Sequence, residues 1–241
     1  MKKALVLGAS GATGQLLVKS LLHKGVEVIA IVRNASSLAN IDKHQSHLRI
    51  VEAEISELTE TDLVQYLKEC EVVLCCLGHN LTLKGMFGQP RRLVRDAIQK
   101  VAQTIETIDT DHKVKIILMN TTGNSNGDIP EKPPYSQRLV ISLLRVMLPP
   151  HVDNENAADF LRVKVGQNNN NIEWVAVRPD GLIDETQVSP YDINVSPIRN
   201  VIFDAGTTSR INVADFMSEL AVNTALWNEW KGQMPVIYNH V

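Results

Sequence analysis

The stretch Lys3-Ala4-Leu5-Val6-Leu7-Gly8-Ala9-Ser10-Gly11-Ala12-Thr13-Gly14 decides the fold. Its apolar first part predicts a strand over Lys3 to Leu7, and the glycine turn opens a helix through about Lys24, ahead of the stop signal Gly25. A strand, a glycine turn and a helix in this order place several backbone N–H groups at a helix N-terminus. The partial positive charge at that end favours a phosphate group.

The three glycines of the turn can serve different purposes in binding a pyrophosphate. Gly8 permits the tight turn, Gly11 lets the backbone approach the ligand, and Gly14 permits close packing of the helix on the strand. Ser10 and Thr13 add hydroxyl donors to the same turn. Because a strand precedes the turn and an amphipathic helix follows it, a dinucleotide site is favoured over a plain loop. The predicted phosphate-binding residues are Gly8, Ser10, Gly11, Ala12, Thr13 and Gly14.

Short β-branched runs alternate with helical stretches along the rest of the chain, which favours a parallel sheet covered by helices on both faces. Strands are predicted at 26–32, 48–52, 71–77, 114–119 and 172–177, and helices at 59–68, 91–108, 136–147, 153–167 and 213–226. Asp153 is expected to cap its own helix, and a short apolar run follows at 201–203. The prediction is an α/β fold, a single-domain Rossmann-type doubly wound parallel sheet over residues 1–241. Small C-terminal loops and a helix would lie on the substrate side.

Composition narrows the range of partners. The net charge of −3 provides no broad positive field for nucleic acid or an anionic membrane surface, so neither partner is expected. The apolar run after Met1-Lys2-Lys3 stops at Gly8, too early for a secretion signal or a membrane span, which predicts a cytoplasmic protein. The three cysteines, clustered around one apolar run, have no zinc-site spacing. They are interpreted as reduced, mostly buried thiols, and no metal is expected.

The end of the second predicted strand indicates which dinucleotide is bound. An NAD site usually has an acidic residue there that accepts hydrogen bonds from the ribose 2′-OH. This chain has Val32-Arg33-Asn34 instead. A guanidinium at Arg33 can pair with the extra phosphate of NADP, although a solvated surface arginine is the alternative. We therefore expect NADP(H) rather than NAD.

Several segments together carry a family resemblance. They are the glycine turn, Ile31-Val32-Arg33-Asn34, Leu77-Gly78 and Trp174-Val175-Ala176-Val177-Arg178-Pro179-Asp180-Gly181-Leu182. Over nearly its whole length the chain resembles the atypical short-chain dehydrogenase/reductases. Within that group it is similar to NAD(P)H-binding proteins that include flavin and biliverdin-IXβ reductases and NmrA-like redox sensors.

The resemblance implies further cofactor contacts. Leu77, Gly78, Thr121 and Thr122 would line the ribose and nicotinamide side, and Pro179, Gly181 and Leu182 would cover the nicotinamide. Glu54 and Ile55 occupy the place of the family's usual Asp-hydrophobic pair near the adenine. The departure at Glu54 puts that contact in doubt.

The usual catalytic pair of short-chain dehydrogenases is missing. In the Tyr-x-x-x-Lys pair, the lysine charge favours the tyrosinate that transfers a proton. None of the four tyrosines, Tyr66, Tyr135, Tyr191 and Tyr238, has a lysine four positions later. Alcohol–carbonyl interconversion by that route is therefore not expected. A flavin or bilin could instead accept hydride and take its proton from solvent.

The acceptor side of the site has only candidates. Pro149-Pro150-His151-Val152-Asp153 resembles the His-containing segment beside the active site of the flavin and biliverdin-IXβ reductases, but no catalytic residue is assigned. His79, Asn80, Arg91, Arg92 and Tyr135 follow predicted strands or belong to loops, where open α/β sheets bind ligands. For each of them, an ordinary loop residue is favoured over a substrate contact.

Three functions are compatible with these observations. The first is an NADPH-dependent reductase for a flavin, quinone or similar planar small-molecule acceptor. The second is a non-catalytic NADP(H)-binding redox sensor that acts on a protein partner. The third and weakest is a sugar-nucleotide epimerase or dehydratase, for which the part after Arg178 is short.

Overall fold

The structure, a computed structural model, describes residues 2–41, 46–79 and 88–240. Its centre is an eight-stranded sheet, accompanied by a separate two-stranded sheet. The strands are β1 (Lys3–Leu7), β2 (Glu27–Val32), β3 (Leu48–Glu52), β4 (Val72–Cys75), β5 (Val114–Met119), β6 (Ile172–Pro179), β7 (Gly181–Ile183), β8 (Tyr191–Asn194), β9 (Thr207–Ser209) and β10 (Val236–Asn239).

The strand order shows that the large sheet is doubly wound. It runs β3-β2-β1-β4-β5-β6-β10-β8, all parallel except β8, which pairs antiparallel with β10. Strands β7 and β9 form the small sheet. The chain reverses its direction of winding between β1 and β4, and ligands of open α/β sheets bind at such a switch point. The predicted Rossmann-type α/β fold is confirmed.

Helices cover both faces of the sheet. They are α1 (Ala12–His23), α2 (Glu60–Leu67), α3 (Leu93–Thr107), α4 (Tyr135–Met147), α5 (Pro149–Asp159), α6 (Arg210–Val222) and α7 (Thr224–Trp230). Alternate residues of β1 pack on opposite faces: Leu5 joins the core under α2, α3 and α5, while Val6 joins the core under α1, α6 and α7. Among the helices of the described residues, none has the length and apolar character needed to cross a bilayer.

The predicted cap at Asp153 is wrong. Helix α5 begins four residues earlier, with Pro149 and Pro150 in its first turn, because proline tolerates a position where the N–H has no helical partner. Asp153 lies inside α5, and its carboxylate caps a different helix by accepting the amides of Val94 and Arg95 in α3, at 2.8 and 3.0 Å. A π-helical turn, Phe160–Val165, then ends the segment.

The C-terminal part also differs from the prediction. The single helix expected at 213–226 is two helices, α6 and α7, because the side chain of Asn223 caps α7 by accepting the amides of Ala225 and Leu226. The apolar run at 201–203 lies in a turn, where the side chain of Asn200 accepts two backbone amides. Strands β7 to β10 were not predicted.

Candidate functional site

The glycine turn is closed so tightly that side chains are excluded from it. Gly8 has a φ of +74°, and a Cβ there would lie 2.6 Å from the carbonyl carbon of Cys76 at the end of β4. A Cβ on Gly14 would lie 2.1 Å from the Gly8 oxygen, and the amide of Gly11 donates to that same oxygen at 3.0 Å. The turn therefore needs glycine at positions 8 and 14 to keep this shape.

The turn ends at the N-terminus of α1. Gly11 is the N-cap, and it supplies no side chain to satisfy the first amides of the helix. Gly11 and Ala12 are exposed and Ser10 is partly exposed, whereas Thr13 is buried. The first helical turn, Ala12 to Gln15, contains no acidic residue. Amide donors, the helix dipole and the lack of nearby negative charge together fit an anionic group of the size of a phosphate.

A cleft of about 320 Å³ extends from this turn across the ends of four strands. It brings together most of the predicted nucleotide residues of the first half of the chain. Those that line it are Gly8, Ser10, Gly11, Arg33, Glu54, Ile55, Leu77 and Gly78. This arrangement arises because β1, β2, β3 and β4 are parallel neighbours, so their carboxyl ends open at one edge.

Arg33 stands at the rim of this cleft, directly after β2. Its side chain is exposed, and none of the ion pairs among the described residues involves it. Glu52 is the register neighbour of Val32, but its carboxylate accepts the Ala35 amide at 2.9 Å. The guanidinium of Arg33 is therefore available to an anionic ligand in the cleft.

Glu54 and Ile55 line the same cleft after β3, the strand that pairs with β2. Glu54 is exposed and its backbone oxygen accepts the amide of Glu57, which closes a turn. Ile55 is buried and joins the core beneath the cleft. An apolar side chain beside an exposed carboxylate is compatible with the edge of an adenine ring.

The ends of the paired strands β5 and β6 form another part of the candidate site, which we call the β5/β6 platform. Thr122 connects them twice: its amide donates to the Pro179 oxygen and its hydroxyl donates to Asp180 Oδ1, both at 3.1 Å. Asp180 also accepts the amides of Gly181 and Gly206. Burial raises the pKa of Asp180 above its ordinary value, although these donors oppose the shift. Of the predicted nicotinamide-side residues, Thr122 and Gly181 therefore hydrogen-bond to Asp180. Thr121, Pro179 and Leu182 lie within two residues of them in the chain. The role of Asp180 was not predicted.

A buried arginine fixes the loop 124–134, and this role was also missed. Arg178, fully buried at the end of β6, pairs with Glu131 at 2.7 Å and donates to the backbone oxygens of Asn124 and Met234. The one signal in the sequence is a charged residue at the end of the apolar run Val175-Ala176-Val177. Its partner could not be identified, because Glu131 lies 47 positions away.

His79 is held at the start of α3. Its Nε2 lies 2.8 Å from Asp153 Oδ2, the carboxylate that caps α3, and its side chain is 5% exposed. Arg91 and Arg92 are exposed just before α3. Asn80 lies outside the described residues.

His151 lies beside the β5/β6 platform. A Cβ on Gly123 would be 3.2 Å from its Cε1, which places the imidazole next to Gly123, two residues after Thr121. Its Nε2 is 3.3 Å from Glu155 Oε1, close enough for an ion pair but not aligned as a hydrogen bond. Burial favours the neutral form of Glu155, but the neighbouring His151 and Arg145 lower its pKa overall.

Tyr135 is farther out, at the start of α4. It is 86% exposed and its ring lies 5.8 Å from the guanidinium carbon of Arg138. The acceptor-side candidates His151, His79 and Tyr135 are thus separated. His151 is adjacent to the β5/β6 platform, His79 is at the start of α3, and Tyr135 is on the outer surface.

The cysteines are free thiols. Cys70 and Cys75 are buried and Cys76 is partly buried, and burial raises the pKa of Cys70 and of Cys75 to about 12. They therefore remain protonated at neutral pH. Across residues 2–41, 46–79 and 88–240, no group of three or more His, Cys, Asp or Glu side chains is placed to hold a metal ion.

Comparison with known proteins gives a family and a fold. The profile of a family described as NAD(P)H-binding matches residues 8–224. No curated protein matches the chain in sequence. The profile match begins at the first glycine of the turn and continues into α7.

Solved structures share the architecture over nearly the whole chain. A candidate NADH-flavin reductase from Streptococcus pneumoniae is 18% identical, with a TM-score of 0.66 and 100% of both chains covered. The anaerobillin reductase ChuY from Escherichia coli O157:H7 is 15% identical, with a TM-score of 0.67, covering 99% of this chain and 97% of that one. A short-chain dehydrogenase/reductase from Veillonella parvula, solved with NADP, is 14% identical, with a TM-score of 0.67 and coverage of 99% and 94%. At such identities these similarities establish the fold.

Proposed function

Because the chain belongs to the NAD(P)H-binding family, we propose that it is an NADPH-dependent reductase of a flavin, quinone or similar planar acceptor. The observation that carries the proposal is the shape of the glycine turn. Its amides open into a cleft that also contains Arg33 and the ends of β3 and β4. We place the protein in the cytoplasm, as a single domain over residues 1–241.

The preference for NADP(H) over NAD rests on Arg33. Bidentate pairing suits a planar guanidinium and a phosphate, and such charge-assisted hydrogen bonds are about twice as strong as neutral ones. The carboxylate of Glu52, which pairs in register with the end of β2, is engaged by the Ala35 amide. Arg33 would therefore bind the 2′-phosphate, and Glu54 and Ile55 would contact the adenine. The Veillonella parvula structure with NADP is a further reason for this choice.

The nicotinamide would lie at the β5/β6 platform. Bound NADPH supplies a hydride, and this chain supplies position and exclusion of water. Leu77 and Gly78 on one side, with Thr121 and Thr122 on the other, would line the ribose and nicotinamide. Pro179, Gly181 and Leu182 would cover the ring. His79 and His151 border this place, and the acceptor would take its proton from solvent.

Two features favour a planar acceptor over an alcohol or ketone. The Tyr-x-x-x-Lys pair is missing from the sequence, so no residue pair is available for the usual proton transfer. The named activities of two structural neighbours, an anaerobillin reductase and a candidate NADH-flavin reductase, are reductions.

A non-catalytic NADP(H)-dependent regulator is the second candidate. It is favoured by the outer face of α4, where Tyr135, Leu139, Leu143, Val146 and Met147 are 56 to 86% exposed. A contiguous exposed apolar face is unusual on a monomer and is typical of contact surfaces. A regulator would bind NADPH without turning over any acceptor.

One experiment separates the two candidates. Purified protein is mixed with NADPH and a panel of flavins and quinones, and the nicotinamide absorbance is followed. Turnover above background with any acceptor supports the reductase. Tight NADPH binding without turnover across the panel supports the regulator, and no binding of either nicotinamide coenzyme in calorimetry refutes both.

A further inference from the structure

A second groove begins at Thr122, beside the platform formed by β5 and β6. One part, of about 260 Å³, runs from Thr122 to Asn200, and the other, of about 690 Å³, runs along α4 to Arg145. The two parts share Lys132, Pro133 and Pro134 in their common wall. We call these two parts together the α4 groove. We infer that the α4 groove binds an acceptor that carries a negatively charged group, and that Lys132 and Arg138 bind this group.

The charges that line the groove are unbalanced. Arg145 is neutralised by Glu155 at 2.8 Å and Arg199 by Asp204 at 2.7 Å. Glu131, the one carboxylate among the described residues that line the groove, is paired with the buried Arg178.

Two cations that line the groove are not neutralised in this way. Among the described residues, no carboxylate forms an ion pair with Lys132 or Arg138, and both side chains are exposed. They give the groove a local positive charge on a protein whose net charge is −3. Such a field attracts anions and is weakened by salt.

The backbone that carries each of the two cations belongs to an ordered part of the fold. Lys132 follows Glu131, whose carboxylate pairs with Arg178 and accepts the Asn126 amide at 2.8 Å. The backbone at Lys132 is therefore anchored to the core, although its side chain is exposed. Arg138 lies on the first turn of α4, with its guanidinium against the Tyr135 ring. Fixed backbones set the points from which the two cations reach into the groove.

The rest of the wall fits an apolar body. Pro133, Pro134, Ile141 and the exposed ring of Tyr135 contribute apolar surface along the groove. A flat ring system could lie against these side chains and reach Thr122, while an attached phosphate, carboxylate or sulfonate remained near Lys132 and Arg138. This inference rests on the proposed function for the identity of the reaction, but the preference for an anion can be measured without turnover.

The test uses a double variant and a matched control. Lys132→Gln with Arg138→Gln removes the two cations, and Lys19→Gln with Lys68→Gln removes two exposed lysines elsewhere with the same change in net charge. The probes are FMN and riboflavin, which share one ring system and differ by a phosphate, and a naphthoquinone with its sulfonate. KM is measured from NADPH oxidation, and Kd from quenching of flavin fluorescence in the presence of NADP.

In the wild-type protein FMN should bind more tightly than riboflavin, and the advantage should shrink at high salt. In the Lys132→Gln/Arg138→Gln variant the KM or Kd of FMN should rise about fivefold to tenfold, while that of riboflavin changes less than about twofold. The quinone sulfonate should follow FMN, and the control variant should behave as wild type.

The outcomes separate this inference from the proposed function. A lasting preference for FMN in binding, without turnover of any acceptor, would refute the reductase and leave the anion site standing. Equal binding of each charged and neutral probe pair, no binding of the charged probes at low salt, or an equal loss in the control variant would overturn the anion site.

Discussion

Replacing Arg33 by alanine tests the cofactor assignment most directly. The side chain is exposed and no described carboxylate forms an ion pair with it, so the substitution removes little from the free protein. A hydrogen-bonded contact to a charged group contributes about 1.5–3 kcal/mol, and exposure to solvent and salt places Arg33 at the lower end. A loss of about 1.5–2 kcal/mol corresponds to an approximately 10- to 30-fold rise in the Kd of NADPH.

The assay is isothermal titration with NADPH and NADH on the same preparations. NADH lacks the 2′-phosphate, so its Kd should change less than about twofold in the Arg33→Ala variant. Arg33→Lys should recover part of the loss, since it keeps the charge but not the bidentate geometry. Arg49→Ala, which removes an exposed arginine of β3 that does not line the cleft, is the matched control. Equal losses for the two coenzymes would refute a phosphate role for Arg33.

Further predictions concern the turn, the buried ion pair and a half-buried lysine. Gly14→Ala should lower the free energy of unfolding in urea by about 1–3 kcal/mol and abolish NADPH binding, because its Cβ would lie 2.1 Å from the Gly8 oxygen. In the control variant Gly78→Ala the new Cβ meets no atom within 4 Å, so it should unfold like wild type. Glu131→Gln should lower the free energy of unfolding by about 3 kcal/mol, because it leaves Arg178 buried without its counter-charge. Adding Arg178→Met should recover part of this loss in a double-mutant cycle. Additive losses would show that the pair is not coupled. Burial lowers the pKa of Lys115 from 10.5 to about 8, so the charged form destabilises the folded state below about pH 8 and stability should rise between pH 8 and 10.5. Lys115→Met should flatten that rise in urea unfolding measured across the range, and an unchanged slope would contradict it.

The parts of the fold that follow from local sequence were predictable. The predicted bounds of β1, β3 and β5 agree with the structure residue for residue. Strands β1 and β5 are largely apolar runs bounded by turn or polar residues, as a buried parallel sheet requires. Strand β3 lies at the edge of the sheet, and its polar residues Arg49 and Glu52 are exposed. The glycine turn was predictable because the contacts between Gly8, Gly11 and Gly14 lie within seven residues of the chain. Its further contact with the end of β4 was not needed for the prediction.

Elements that depend on distant partners were not predictable. Strands β8 and β10 are short and partly polar, and they exist as a ladder: Ile237 pairs with Pro179 of β6 and with Ile193 of β8. Asp153 has the residue type of a cap, but the helix that it caps lies nearly sixty positions earlier in the chain. Sequence alone indicates the capping residue without indicating which helix needs it.

The two halves of the candidate site are supported in different ways, and this has a consequence for specificity. The nucleotide half is made mostly of backbone groups, in a turn that excludes side chains at Gly8 and Gly14. The proposed acceptor half is made of side chains of α4 and of the loop 124–134, which Arg178 and Glu131 anchor. Substitutions along the α4 groove can therefore change the acceptor without disturbing the turn. A fold supported in this way can keep one cofactor while its acceptor varies, so the sequence indicates the nucleotide half in detail and offers only single candidate residues for the acceptor half.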